Sequence, residues 1–186
     1  MASLSVNTNW GLIGRWLLAF LGFPIGGGVT YLIIGGVDDP LKGLAGGAIA
    51  GAFIGGAQWL ALRRTKQADP SWIAITSVGL AVGVGLSTAI FGTANDTITI
   101  TNRAAVTGVI LAAAQAYIIQ RKGGAPLIWA LVVALAYTIA WPVTRLVIQE
   151  NARMGFVVFG SSGAILFQLI TLIAVLRKPS TSSPSH

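Results

Sequence analysis

The chain has no cysteine, which excludes disulfides, thiolate metal sites and a cysteine nucleophile. Its single histidine is His186, the last residue, so no imidazole is available as a base or metal ligand within the body of the chain. Acids are nearly as scarce: only five Asp and Glu occur, and all of them fall outside the apolar runs. General acid–base catalysis needs a titratable group in a protected site, and pumps or ion-coupled carriers place an acid mid-membrane. Neither pattern is present. The sequence reads as non-enzymatic, with no metal and no cofactor, although its counts leave a Ser–Lys pair open.

Charge is also thin. Charged residues make up 9% of the chain, against about a quarter in a soluble domain. What fills their place is apolar: 54% of residues are hydrophobic, and the mean hydropathy is +0.78. Six apolar runs of spanning length lie at about 12–35, 41–62, 72–92, 103–120, 126–147 and 154–176. The expected fold class is therefore all-α: a polytopic membrane protein with six transmembrane helices.

Glycine is abundant and regularly placed. Gly43, Gly47, Gly51 and Gly55 recur every fourth residue, with Gln58 three further on and Arg63-Arg64 closing the run. On a helix they share one face. In water such a helix is poor, but in lipid small residues let backbones approach closely. The same spacing repeats. Gly22, Gly26 and Thr30 are matched 57 residues later by Gly79, Gly83 and Ser87, and after another 57 by Ala136, Ala140 and Thr144. In the even runs Gly47, Gly51, Gly55 and Gln58 are answered by Ala104, Gly108, Ala112 and Gln115, then by Gly160, Ala164, Gln168 and Thr171. This pattern reads as three hairpins, about 10–66, 67–123 and 124–178, forming a pseudo-threefold bundle over 1–178 with a polar tail at 179–186. The expected helix-packing residues are Gly22, Gly26, Gly43, Gly47, Gly51, Gly55, Gly79, Gly83, Gly108, Ala112, Gly160 and Ala164.

Basic residues set the expected orientation. Arg15, Arg63, Arg64, Lys66, Arg121, Lys122, Arg177 and Lys178 share one side with Asp69, while the other four acids share the opposite side. The positive-inside rule makes the basic side cytoplasmic and puts both termini there. The net charge of +7 is thus a topology signal, and nucleic acid is not an expected partner. Trp10, Trp16, Trp59 and Trp72 are expected near the cytoplasmic interface, where amphipathic rings are favoured. On the other side, Asp96 to Asn102 (DTITITN) alternates threonine and isoleucine and reads as a short extended loop.

Four polar residues inside the spans are the candidate ligand-binding groups: Gln58, Gln115, Gln168 and Arg145. Two roles are open for the glutamines: interhelical hydrogen bonds, or a polar ring that binds a small neutral solute or headgroup. Arg145 either pairs externally with Glu150 or contacts an anion.

The run Gly51-Gly55-Gln58-Trp59-Leu62-Arg63 resembles a helix motif of small uncharacterised multi-span bacterial proteins. The helix count and topology are similar to those of the S-components of vitamin transporters. Mitochondrial carriers share a three-hairpin plan, but their Pro-x-acid-x-x-base signature is missing here. The leading functional expectation is a membrane-embedded assembly or packing subunit of the bacterial inner membrane, in contact with the lipid bilayer. Its glycine faces would bind other helices, lipids, pigments, other subunits or a second copy. The alternative is a small-solute binding or transport bundle like an S-component, with a cavity bordered by the glutamines and Arg145.

Overall fold

The computed structural model describes residues 10–65, 67–122, 124–151 and 161–176. Gly160, Arg153, Lys66, Arg177, Lys178 and the 179–186 tail lie outside them, as does the side chain of Glu150. All regular structure among the described residues is helical. The first span is broken: α1 (Trp10–Leu18) passes through a 3₁₀ turn (Ala19–Leu21) into α2 (Gly22–Ile34). The turn sits just before Pro24, whose ring nitrogen cannot donate to the carbonyl four residues back. Then follow α3 (Pro40–Leu62), α4 (Ser71–Phe91), α5 (Thr97–Arg121), α6 (Pro126–Asn151) and α7 (Ser161–Val175). Pro142 lies within α6, which continues past it.

Five of these spans are long and apolar enough to cross a membrane: Trp10–Ile34, Pro40–Thr65, Ser71–Phe91, Thr97–Arg121 and Pro126–Val147. The sixth expected span is described from Ser161 on, as an apolar helix of 15 residues. Each helix packs against the next in the chain, and the first span closes on α7, so the bundle is a ring in sequence order. Its outer face carries large apolar side chains such as Leu32, Val78, Leu131 and Ile173, as a surface facing acyl chains requires.

One expected loop is a helix. Residues 97–102 form the first turns of α5, not an extended segment. Asp96 caps them, its carboxylate accepting from the Thr99 backbone N–H at 2.9 Å. The Thr101 hydroxyl bonds back to the Thr97 carbonyl at 2.7 Å, so the β-branched run is accommodated within the helix. The turn between α2 and α3 is built alike: Asp39 caps α3 by accepting from Lys42 N–H at 2.9 Å. Gly35 and Gly92, both at φ 72°, end α2 and α4 in the left-handed region that favours glycine. Gly35 and Gly92 stand 57 residues apart, as do Asp39 and Asp96.

Interhelical contact runs through the small residues. At Gly51 a side-chain carbon would lie 2.6 Å from the Ser77 Cα, and at Gly47 it would collide with the Leu80 carbonyl, so α3 and α4 touch backbone to backbone. Gly43 and Gly55 extend this line along α4, facing Gly85 and Ile73. Gly22 and Gly26 face α3, Gly79 and Gly83 face α5, and Gly108 faces α6. Ala112 and Ala164 are buried.

Candidate functional site

The interior has two layers. One lies at the end where the odd-numbered spans begin. Trp16, Trp72 and Trp129 converge there from three spans, with Trp129 edge-on to both others at centroid distances of 6.1 and 5.4 Å. Each indole N–H is satisfied across a helix interface. Trp72 donates to Gln58 Oε1 at 3.1 Å and Trp129 to Gln115 Oε1 at 3.3 Å. Trp16 donates to the Gln168 carbonyl at 3.1 Å and to the Thr171 hydroxyl at 3.2 Å. Gln115 also donates to Thr76 Oγ1 at 3.0 Å and to Gln58 Oε1 at 3.3 Å. All three glutamines are at most 1% exposed. Gln168 Nε2 alone among these amides is buried without a partner among the described residues.

This layer corrects the expected placement of two tryptophans. Trp16 and Trp72 are fully buried inside the bundle instead of forming part of an outer belt, because their N–H groups have acceptors within the ring. Trp10, at 76% exposed, and the half-buried Trp59 keep outward positions, with Arg63 stacked 5.6 Å from the Trp59 ring.

Above the tryptophans the bundle opens into a cavity of about 1120 Å³. Its deepest wall is apolar: Ile54, Leu80 and the ring cluster of Phe23, Phe167 and Tyr137, with centroids 5.4 and 6.0 Å apart. Ile54 is one helical turn from Gln58, and Leu80 one turn from Thr76, so the floor of the cavity rests on the tryptophan–glutamine layer. Higher up, buried hydroxyls ring the wall. Thr30, Ser87 and Thr144 are 7%, 1% and 4% exposed, and Ser87 bonds Thr107 at 3.2 Å. Two arginines complete the wall at the open end, near Asp38 and Asn95.

The two arginines are held differently. Arg145 is strapped to the turn before α5, donating Nε to the Asn95 carbonyl and Nη1 to the Thr97 hydroxyl at 2.9 Å. Arg103, in the second turn of α5, donates Nη2 to Thr88 Oγ1 at 2.9 Å. The Thr88 hydroxyl gives its own proton to the Val84 carbonyl at 2.7 Å. Neither arginine pairs with a carboxylate among the described residues, whose salt bridges are Lys42–Asp38 and Lys122–Asp69.

Of the sequence candidates, therefore, Arg145 is in the cavity wall, whereas Gln58, Gln115 and Gln168 lie in the layer beneath it and are engaged with neighbouring helices. Arg103, Tyr137 and Trp141 are wall residues the sequence reading did not single out. Asp96 was the available signal for Arg103: taken as an N-cap, it starts α5 early enough to carry that side chain into the span. No group of acids or histidines among the described residues could hold a metal.

Fold and cavity together define an all-α bundle whose helices are of membrane-spanning type, with a partly open chamber among them. No protein-family model, curated protein or solved structure matches the chain.

Proposed function

We propose that this protein is a membrane-embedded binding bundle for a small organic solute, which it takes up in the chamber between the helices. The observation that carries this reading is the cavity of about 1120 Å³, just above the usual range of small-molecule sites, with a mostly apolar wall and a few convergent polar groups. The tryptophan–glutamine layer supports it by closing one end and leaving the other as the point of entry. The topology is similar to that of S-components, and the protein belongs in the bacterial inner membrane as a multi-pass bundle of six helices. Both termini are cytoplasmic, and the chamber opens to the outside. The basic residues of the tryptophan end, Arg15, Arg63, Arg64, Arg121 and Lys122, support that orientation.

The bundle descends from one hairpin repeated three times. The matched glycine turns and aspartate caps support this, as do three tryptophans that each bond the preceding hairpin in the ring. An assembly subunit whose glycine faces dock other helices has less support, since Gly43, Gly47, Gly51 and Gly55 already meet α4 of the same chain.

The test is the small-molecule content of protein purified in mild detergent, compared with Gly27→Trp. Gly27 lines the cavity and has open space where a side chain would begin, so the variant fills the chamber without disturbing a seam. The expected result is a compound extracted from the native protein and lost from the variant, with helicity unchanged. Equal extracts from both would overturn the proposal.

A further inference from the structure

Resting on that reading, we infer that the chamber selects an organic anion, a carboxylate or phosphate monoester on an apolar body, and that Arg103 anchors its charged head. Three observations point there. Arg103 is half-buried in the cavity wall, and its guanidinium carries five N–H donors, of which a single one is directed to a protein acceptor among the described residues. It has no carboxylate partner among those residues, and stands half out of solvent in the chamber wall, where an opposite charge is favoured. Finally, its one hydrogen bond fixes direction: Thr88, itself tied to Val84, holds Nη2 and leaves the remaining donors for another acceptor.

Arg145 serves a different purpose. Two of its donors go to Asn95 and Thr97, which brace the mouth. A planar fork with free donors matches a carboxylate or phosphate, in two parallel hydrogen bonds that an ammonium cannot reproduce. Below it, the hydroxyls of Ser87 and Thr107 offer secondary acceptors and donors, while Tyr137, Phe167 and Phe23 receive the apolar body. An apolar alcohol fills the same floor but leaves the arginine unpaired. The difference between anion and alcohol is therefore the signature of the site.

The anion has two possible sources, a free solute arriving through the mouth or the headgroup of an anionic lipid. The test uses full-length protein in nanodiscs of zwitterionic lipid, titrated with alkyl carboxylates and alkyl phosphates of eight to fourteen carbons and with the matching alcohols, read by intrinsic tryptophan fluorescence through Trp141 in the wall. The expected result is that at least one anion binds about 10- to 100-fold more tightly than its alcohol. Arg103→Gln should erase that ratio by weakening the anion alone, and Arg103→Lys should restore only part of it. Repeating the titration in discs containing phosphatidylglycerol separates the sources. Competition by that lipid assigns the head to a bilayer lipid, and its absence assigns a free solute. Equal binding of anion and alcohol, or a ratio unchanged in Arg103→Gln, overturns the anion assignment and leaves the chamber standing. No binding by any of these compounds overturns the anion assignment, and if Gly27→Trp also changes no extract, the chamber fails as well.

Discussion

Trp72 donates its indole N–H to the side-chain carbonyl of Gln58 at 3.1 Å, and 57 residues further on Trp129 makes the same bond to Gln115. Both pairs join one hairpin to its predecessor. Removing an acceptor there strands a buried donor, which is worse than never having had one. Gln58→Leu should therefore lower stability by about 1–3 kcal/mol, measured by denaturant titration in detergent. Adding Trp72→Phe to it should cost clearly less than the sum of the two single changes. Full additivity would mean that the bond contributes nothing.

The line of glycines between α3 and α4 yields a contrast within a single helix. Gly51→Ala pushes a methyl into the Ser77 backbone and should destabilise by about 1–3 kcal/mol. Gly56→Ala meets nothing within 4 Å and should be neutral or stabilising, by up to about 1 kcal/mol from helix propensity. The check is the pair of melting temperatures measured in one detergent. Equal shifts would remove the close approach as the cause.

The two aspartate caps should respond alike. Asp39→Ala and Asp96→Ala each lose a carboxylate that accepts a backbone N–H, at a cost of about 1 kcal/mol per helix. Hydrogen exchange should detect the loss in the first turns of α3 and α5 and leave the tryptophan end unchanged.

At the opposite end, Asp69 joins the α3–α4 turn to Lys122 beyond α5 at 2.9 Å. The Ser71 hydroxyl, then the Lys122 ammonium, hold its carboxyl down to about 2 from an ordinary 3.8. A carboxyl depressed in the folded state contributes stability above its ordinary value and loses it as pH falls towards about 2. The melting-temperature gap between native protein and Asp69→Asn should thus be largest at pH 5 and close progressively below pH 4. Because both partners are about one-third exposed, the gap should be small.

Helices and their seams could be read in the sequence because both are local. Apolar length marks a span, and a four-residue glycine step marks a face, whatever packs there. The start of α5 could not be read the same way. The run TITIT favours strand by propensity, a weak preference that one aspartate cap and the long apolar helix behind it outweigh. That misreading left Arg103 at the very edge of its span. The place of the chamber, expected beside the glutamines and found above them, was illegible for another reason: a volume belongs to no residue, and arises from how far apart the helices stand. Its traces were present all the same, since Thr30, Ser87 and Thr144 occupy one repeated position and meet in one wall. The burial of Trp16 and Trp72 was likewise hidden, because indoles at that depth suit either an interface or an interior whose acceptors come from distant sequence.

The floor of indoles has a consequence for traffic. Trp16, Trp72 and Trp129 leave no lumen beneath the chamber, and each is tethered by its nitrogen to a different helix. On the proposed reading, a bound solute therefore meets a closed layer on the tryptophan side of the chamber. Crossing that layer would require the three tethers to part. On that same reading the chamber binds its solute from one side, and vectorial passage would need a drive supplied from elsewhere.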